Sequence, residues 1–340
     1  MGSVTGARRV TIADVAEAAG VSTTAVSWAL NDKGTLDPRT RARIRALASE
    51  LGYRPSVRAR HLRSGRSQAI ALVSTMPPAI VGGTSRLGFF MEIGMAAARA
   101  ALDRGYALML VPPVEDGAFI DRLDVDGALV IEPVLGHWAG ERLAARGLPA
   151  VAIGRDPTPG GTMAWVDRGA SGADVVLGHL ADRGCREIAV VVTAQARSTT
   201  EDVCAYLRTW AAERGLPAHV ARADEHGGAR AGHDATLALL REHPSVDAVY
   251  APIDAFAVGA LSAARELGRD VPGDLLVATN YDGDRSRSAD PPLTALDLRL
   301  EGLAERAVAL LLDRIEGRAG EAASVPGPAP RLIPRASTAR

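Results

Sequence analysis

The hydrophobic pattern is clearest at residues 11–31, TIADVAEAAGVSTTAVSWALN, where it predicts two short helices joined by a tight turn. Apolar residues repeat at helical spacing along the first half, and Thr11 with Asp14 resembles a capping box. Gly20 ends the first helix because glycine adopts the left-handed conformation without a Cβ penalty. Ser22 then caps a second helix with outward-facing polar residues. This pattern is typical of a helix-turn-helix, whose second helix enters the major groove of DNA.

A third helix is predicted to begin at Pro38, with Asp37 as its N-cap, and to end before Gly52. Three such helices can close a small core, so we expect residues 1–53 to form an all-α DNA-binding domain. Residues 54–67 contain five arginines and few apolar residues. That composition indicates either a flexible linker or a short helix that forms only on a partner.

From residue 68 onward, short apolar runs alternate with amphipathic stretches. The runs that predict buried strands are AIALVS, ALMLVP, GALVIEP, PAVAIG, EIAVVV, DAVYAP and LLVATNY. Such alternation is typical of parallel sheets covered by helices on both faces. There are too many units for one small sheet, so the α/β core is predicted to form two doubly wound parallel-sheet subdomains. A ligand is expected in the cleft between them, at the carboxyl ends of the strands.

Charge is distributed unevenly along the chain. Residues 1–66 carry 12 Lys and Arg against 5 Asp and Glu, a net charge of +7, whereas the whole chain has a net charge of −1. The remainder is therefore acidic. A basic head on an acidic body indicates a polyanionic partner that is bound by the head alone.

Other classes of protein are disfavoured by what the sequence lacks. The seven histidines are scattered, Cys185 and Cys204 lack metal-ligand spacing, and no nucleophile elbow, phosphate loop or dinucleotide fingerprint occurs. We therefore expect no catalytic residues, metal or cofactor. No apolar run is long enough to span a membrane and no signal peptide is recognisable, so a cytoplasmic protein is expected. A secreted solute-binding protein would share the core but not the basic head.

The chain resembles the lactose-repressor/galactose-repressor (LacI/GalR) family of bacterial transcription regulators. The most specific matching segments are VTIADVAEAAGVSTTAVSWALN, TRARI and LGYRPSVRARHL in the head, and VDGALVI, HLADRG, PPLTALD and RLIPRASTAR in the core. The resemblance implies a repressor with a core of periplasmic-binding-protein type. It also implies a homodimer on a near-palindromic double-stranded DNA operator, with a small-molecule effector in the cleft and no membrane partner.

The same resemblance divides the chain into a DNA-binding domain, a hinge helix at 54–67 and an effector-binding and dimerisation core at 68–340. Within the core, the first subdomain is expected at about 68–165 plus 298–318. The second is expected at about 166–297 plus 325–340.

The resemblance also assigns roles in the head. Base contacts are implied for Thr23, Thr24 and Trp28. Phosphate contacts are implied for Ser22, Ser27, Asn31 and Thr40. Many family members have Arg at the position of Trp28, and Arg binds guanine with two hydrogen bonds worth about 1–3 kcal/mol of discrimination. Tryptophan offers one donor and a large apolar face. Trp28 therefore either alters the base preference or packs against the head.

In the core, the expected effector-binding residues are Ser74, Phe89, Phe90, Arg197, Asp254 and Asp282. Two of these expectations have structural alternatives: Asp254 either contacts the ligand or caps a helix, and the two phenylalanines either stack on the ligand or belong to the core. Val203 and Ile253 stand where the family has an arginine and an asparagine. Both replacements remove hydrogen-bonding capacity, so either the effector is less polar than is usual for the family or the regulator acts without one.

Ala59 and Leu62 match the hinge helix, in which paired leucines wedge into the minor groove and kink the duplex. We expect Leu62→Ala to keep the fold and the dimer but to weaken specific operator binding by more than about tenfold, because the wedge is lost. An operator titration of both proteins measures this. Equal operator affinities would contradict a wedge role for Leu62.

Overall fold

The structure is a computed structural model. It describes residues 10–32, 34–54, 65–81, 88–114, 117–161, 163–168, 171–318 and 324–340. The chain divides into two compact units, Met1–Arg66 and Ser67–Arg340. The predicted hinge residues Ala59 and Leu62 lie outside the described residues.

The first unit contains three helices, α1 (Ile12–Ala19), α2 (Thr23–Leu30) and α3 (Pro38–Glu50). The predicted capping box is present: the Thr11 hydroxyl accepts from the backbone of Asp14, and the Asp14 carboxylate accepts from the backbone of Thr11 at 2.7 Å. Ser22 caps α2 through its hydroxyl, which accepts from the amide of Ala25. All three helices contribute buried side chains to one small core: Val15, Ala16, Ala19, Val26, Ala29, Ile44 and Ala48.

The second unit alternates strands and helices. Its strands are β1 (Ala69–Ser74), β2 (Ala107–Val111), β3 (Gly127–Ile131), β4 (Ala150–Ile153), β5 (Ala164–Asp167), β6 (Ile188–Thr193), β7 (His219–Ala223), β8 (Ala248–Ala251), β9 (Leu276–Thr279), β10 (Ala295–Asp297), β11 (Ser324–Pro326) and β12 (Arg331–Ile333). Its helices are α4 (Pro78–Val81), α5 (Phe89–Asp103), α6 (Trp138–Ala145), α7 (Ser171–Asp182), α8 (Ser198–Glu213), α9 (Gly228–Glu242), α10 (Asp254–Glu266), α11 (Asp284–Ser288) and α12 (Leu300–Ile315).

Two parallel sheets organise this unit into two lobes. The first lobe is built on the order β11-β5-β4-β3-β1-β2, and the second on β7-β6-β8-β9. Helices α5 and α12 cover one face of the first sheet. A short antiparallel pair, β10 with β12, adjoins the second lobe. The predicted fold class, an all-α head followed by two doubly wound parallel-sheet subdomains, is confirmed.

The last crossing between the lobes lies later than predicted. Ser324–Pro326 pairs in parallel with Trp165, Val166 and Asp167, so β11 is the edge strand of the first lobe. The expected return to the second subdomain at residue 325, and its expected beginning at 166, both cut through this ladder. The chain instead passes to the second lobe after Asp167 and returns to it finally between Pro326 and Arg331.

A short segment of chain ties the lobes together. After β1, helix α4 leaves the first sheet, and Ile80 is buried in the core cluster of the second lobe with only 6% of its surface exposed. Burying such a side chain stabilises by about 1.5–3 kcal/mol. Arg285 of α11 fastens the same segment by donating to the backbone oxygens of Ala79 at 3.0 Å and Ile80 at 2.8 Å.

Helices α9 and α10 approach each other closely through two glycines. A Cβ atom at Gly232 would lie 2.4 Å from the Cα of Phe256, and one at Gly259 would lie 2.2 Å from the backbone oxygen of Ala229. Both distances are below any permissible contact, and the obstructing atoms belong to the backbone. The second lobe therefore depends on the absence of side chains at these positions.

We expect Gly259→Ala to lower the free energy of unfolding by about 3 kcal/mol, because the two helices must separate to admit the methyl group. Urea unfolding of the full chain measures this. Gly178→Ala in α7 is the matched control, since nothing lies within 4 Å of its added Cβ. It should stabilise by about 0.5–1 kcal/mol through helix propensity. Equal effects of the two substitutions would contradict the close-packing argument.

Candidate functional site

One face of α2 presents the residues expected to read DNA bases. Thr23 and Thr24 are exposed, and 41% of the Trp28 surface is accessible, whereas Val26 and Ala29 on the opposite face are buried. The spacing of 24 and 28 places these two side chains one helical turn apart. Thr23, Thr24 and the Trp28 indole therefore lie together on the solvent-facing side of α2.

Trp28 also packs against its own unit. Gly34 has φ +70°, and a Cβ there would lie 2.5 Å from two carbons of the indole. The ring therefore lies directly against the Gly34 backbone, in a conformation that a residue other than glycine rarely adopts. Base contact and packing against the head are both possible for Trp28 in this geometry, because one part of the ring contacts the head and the other faces solvent.

The expected phosphate-contacting residues have roles within the head. The Ser22 hydroxyl accepts from the Ala25 amide at 3.2 Å, and the Asn31 side chain donates to the Ser27 oxygen at 2.8 Å. The Thr40 hydroxyl donates to the Asp37 carboxylate at 3.1 Å. These bonds fix the termini of α2 and α3.

Three arginines of α3 bind the C-terminal ends of the other helices. Arg43 donates to the Ala19 oxygen at 2.8 Å, and Arg45 donates to the Ala29 oxygen at 2.9 Å. Arg41 and Arg45 both pair with Asp32, at 3.0 and 2.7 Å. Hydrogen bonding to Arg45 is the main reason that the pKa of Asp32 lies below its usual value. Part of the positive charge of the head is therefore held in place by the fold.

A cleft with a cavity volume of about 130 Å³, open to solvent, lies between the two lobes of the second unit. It is bordered by the carboxyl ends of strands from both sheets, as expected for a doubly wound fold. Of the expected effector residues, Phe89, Arg197 and Asp254 line it, together with Val203 and Ile253. Ser74, Phe90 and Asp282 are not among the lining residues.

Arg197 is buried in the cleft wall and joins the lobes. It belongs to the second lobe, where its guanidinium pairs with Glu225 at 2.5 Å. It reaches the first lobe by donating to the Thr75 hydroxyl at 2.8 Å, the Thr75 backbone oxygen at 3.3 Å and the Glu132 backbone oxygen. With 4% of Arg197 and 2% of Glu225 exposed, the pair is withdrawn from water. We name this network the lobe bolt.

A second ion pair in the cleft centres on Glu132 of the first lobe. Its carboxylate pairs with Arg168 and accepts from the Thr199 hydroxyl of the second lobe at 2.8 Å. Glu132 has φ +48°, an uncommon backbone conformation for a residue with a side chain. The surrounding bonds hold it there, because the carboxylate and the backbone oxygen both face partners across the cleft.

Asp254 lies at the start of α10 and faces the cleft. One carboxylate oxygen, Oδ1, accepts from the Ala255 amide at 2.8 Å and from Arg285 at 3.3 Å. Burial raises the pKa of Asp254, and the charge of Arg285 partly opposes this. Both expectations for this residue therefore have a geometric basis: it bonds at the helix start and it borders the cleft.

The two expected phenylalanines separate. Phe89 lines the cleft, with its ring 5.4 Å from that of Tyr281 in an edge-to-face contact and with the Arg168 guanidinium 5.7 Å from its centroid. Both phenylalanines belong to the core cluster of the first lobe, and only Phe89 also borders the cleft, because the next residue on a helix points in another direction. The Ser74 hydroxyl is buried and accepts from the Met76 amide at 3.2 Å.

Asp282 was expected to bind the effector, but it binds other parts of the second lobe. Its carboxylate pairs with Arg335 at 2.5 Å and with Arg287 at 3.2 Å. These contacts anchor the C-terminal segment. The residues that follow β9 and border the cleft are Asn280 and Tyr281, one and two positions earlier.

Glu132, Arg168, Glu225 and Asn280 are four of the charged or polar cleft residues that the sequence analysis did not predict. Two of them carried a usable signal. Glu132 directly follows the apolar run GALVI, and Asn280 directly follows LLVAT, which is where ligand-binding side chains of parallel sheets are found. Glu225 follows β7, a strand that was not predicted.

Among the described residues, no cluster of His, Cys, Asp and Glu is suited to a metal ion, and no helix is long and apolar enough to cross a membrane.

Comparison with known proteins gives consistent matches. Residues 11–56 match the model of bacterial regulatory proteins of the lacI family, and residues 177–338 match a periplasmic binding protein-like domain. The HTH-type transcriptional repressor PurR of Pectobacterium carotovorum subsp. carotovorum (strain PC1) is 32% identical over 345 residues, which covers 97% of each chain. PurR of Proteus mirabilis (strain HI4320) is 29% identical over 340 residues, with the same coverage.

Solved structures match over the same length. The complex of the transcriptional regulator CelR with cellobiose has a TM-score of 0.69 at 26% identity, covering 97% of this chain and 100% of that one. The lac repressor dimer bound to operator and the anti-inducer ONPF has a TM-score of 0.73 at 22% identity, covering 97% and 99%. The curated relatives are repressors, which confirms the prediction of a regulator rather than an enzyme.

The lobe bolt generates a stability prediction. We expect Arg197→Met to lower the free energy of unfolding by about 3–5 kcal/mol, because it leaves Glu225 buried without its partner. Arg222→Met is the control: Arg222 pairs with Glu201 at 2.8 Å, but their side chains are 39% and 53% exposed. Losing an exposed pair should cost about 1 kcal/mol or less. If urea unfolding gives similar decreases in the free energy of unfolding for the two variants, the stabilising role of the lobe bolt is contradicted.

Proposed function

Because the chain belongs to the lacI family of bacterial regulatory proteins, and is thus a DNA-binding transcriptional regulator, we propose that a small molecule in the interlobe cleft controls its repression of a nearby gene. The proposal rests on the presence of two features in one chain: the exposed residues Thr23, Thr24 and Trp28 on α2, and a core whose two lobes enclose a cleft. The expected place of action is the cytoplasm, where the DNA is.

The proposed reading face consists of Thr23, Thr24 and Trp28. Their exposure on one side of α2 supports base contacts in the major groove. Ser22, Asn31 and Thr40 lie at or near the ends of α2 and α3, and Ser27 lies within α2. We assign phosphate contacts to these four residues. Such contacts fix the register of a protein on the duplex without reading its sequence. Ala59 and Leu62 keep their proposed place in the hinge.

The proposed dimer face lies on the first lobe. Met95 and Leu102 project from one side of α5 and are 64% and 71% exposed, and Met109 and Leu110 on the edge strand β2 are 38% and 37% exposed. Large apolar side chains grouped at a helix face and a sheet edge favour burial against a second copy. One similar solved structure is a lac repressor dimer on its operator, which supports two copies on a near-palindromic site.

The proposed effector site is the cleft, with Phe89, Arg197, Asp254 and the unpredicted Asn280 in its wall. Similar structures contain cellobiose or ONPF, which supports a small-molecule effector here. An effector controls the regulator only if it binds the two states of the lobes with different affinity. The lobe bolt favours a second candidate function, an effector-independent regulator, because the chain's own residues already join the lobes.

Selection of bound sequences from random double-stranded DNA tests the function. We expect a near-palindrome of two half-sites to be enriched. Trp28→Arg should shift the preference at one position of each half-site toward guanine, because Arg makes two hydrogen bonds to that base and Trp cannot.

Enrichment of no motif by the wild-type chain would contradict the proposed function. Identical motifs for wild type and Trp28→Arg would contradict only the base-reading role of Trp28. Arg39→Lys is a suitable control, since it changes an exposed basic residue at the start of α3 while keeping its charge.

A further inference from the structure

The donors of Arg197 are all used within the protein. Arginine carries five N–H donors. One N–H on Nε bonds to Glu225, two on Nη1 bond to the Thr75 hydroxyl and the Glu132 oxygen, and two on Nη2 bond to the Thr75 oxygen and to Glu225. In this arrangement of the lobes, Arg197 therefore has no N–H left to donate to a ligand. Its role in the wall is structural, contrary to the expected effector contact.

The charges that border the cleft are matched in pairs. Arg197 is neutralised by Glu225 and Arg168 by Glu132, while Asp254 pairs with Arg285. A charged ligand entering this cleft would lose its hydration and find no counter-charge to replace it. Burying an ion without a partner is strongly unfavourable. The cleft is thus suited to a neutral molecule.

Much of the remaining wall is apolar. Its apolar side chains are Met76, Ile80, Phe89, Ala173, Val192, Val203, Pro252, Ile253, Leu298, Leu303, Pro328 and Pro330. A sugar needs a hydrogen-bonding partner for nearly every hydroxyl, because an unpaired buried hydroxyl costs about 1–3 kcal/mol. Thr193 and Thr199 of the same wall already donate to Glu225 and Glu132, which reduces the number of groups left to bind hydroxyls. Covering apolar surface is therefore the larger gain.

Asp254 and Asn280 are among the polar residues of the cleft wall that keep hydrogen-bonding capacity. Asp254 uses Oδ1 for its bonds, and Asn280 uses Oδ1 to accept from Tyr250. Among the described residues, no partner is found for Oδ2 of Asp254 or for the amide nitrogen of Asn280. Asp254 and Asn280 come after β8 and β9, which are neighbouring strands, and both side chains border the cleft.

We propose that the cleft binds an uncharged, mainly apolar small molecule that presents one donor–acceptor edge, such as an amide or lactam, to Asp254 and Asn280. This inference rests on the proposed function of the cleft as the effector site. It assigns a ligand class distinct from anions and from sugars.

Two fluorescent probes with the same arylamine skeleton test whether the cleft prefers an uncharged ligand to an anion. N-phenyl-1-naphthylamine is neutral, and 8-anilino-1-naphthalenesulfonate adds one negative charge. We expect the neutral probe to bind the full-length wild-type protein at least about tenfold more tightly. Glu225→Gln removes the partner charge of Arg197 and should raise the affinity for the sulfonate by about tenfold or more. Val203→Arg, which adds a cation to the cleft, should do the same and should weaken the neutral probe.

Val114→Arg is the control for added charge, because Val114 is 37% exposed and outside the cleft wall; it should change neither affinity. The proposal is overturned if the sulfonate binds the wild type as tightly as the neutral probe, if cellobiose displaces the neutral probe, or if Val203→Arg leaves its binding unchanged. Operator binding is measured on the same preparations. If the wild-type protein does not bind the operator, the proposed function is contradicted. If it binds the operator but one of the three probe results above is obtained, only the proposed ligand class is contradicted.

Discussion

The buried ion pair between Arg197 and Glu225 is the interaction on which the arrangement of the core depends. Bringing both charges out of water is costly, and the cost is offset only because every donor of the arginine finds an acceptor. Three of those bonds reach the first lobe, at Thr75 and Glu132, so the pair is complete only when the lobes are closed. The Arg197 guanidinium therefore helps to hold the two walls of the cleft together.

The general fold was accessible from the sequence because buried parallel strands are short, apolar and regularly separated by helices. Strands β1, β3 and β6 are apolar except for the last residue of β1 and of β6, and all three were predicted. Strand β7, HVARA, escaped because an edge strand is only partly buried and its pattern is mixed. Strand β11 escaped because three residues, one of them proline, form a strand only by pairing with distant β5. Sequence periodicity contains no information about such a long-range partner.

The candidate site was predictable only in part, for a related reason. The outward position of Thr23, Thr24 and Trp28 followed from the apolar residues on the opposite side of α2, whereas their base-reading role was implied only by the family resemblance. Asp282 follows the strand that leads to the cleft, but Arg287 and Arg335 hold its carboxylate elsewhere. Glu225 and Glu132 were missed because their roles come from ion pairs with Arg197 and Arg168, which are distant from them in the sequence. A side chain's direction, and the partner that fixes it, depend on tertiary contacts.

The arginines that bind the helix ends in the head have a consequence for its encounter with DNA. A free arginine on a surface samples many rotamers, and immobilising it on a phosphate costs about 0.5–1.5 kcal/mol in side-chain entropy. Arg41, Arg43 and Arg45 are already immobilised by the folded head, through Asp32 and the oxygens of Ala19 and Ala29. They contribute positive potential without a further loss of freedom. The head therefore meets its polyanion with part of its electrostatic surface organised in advance.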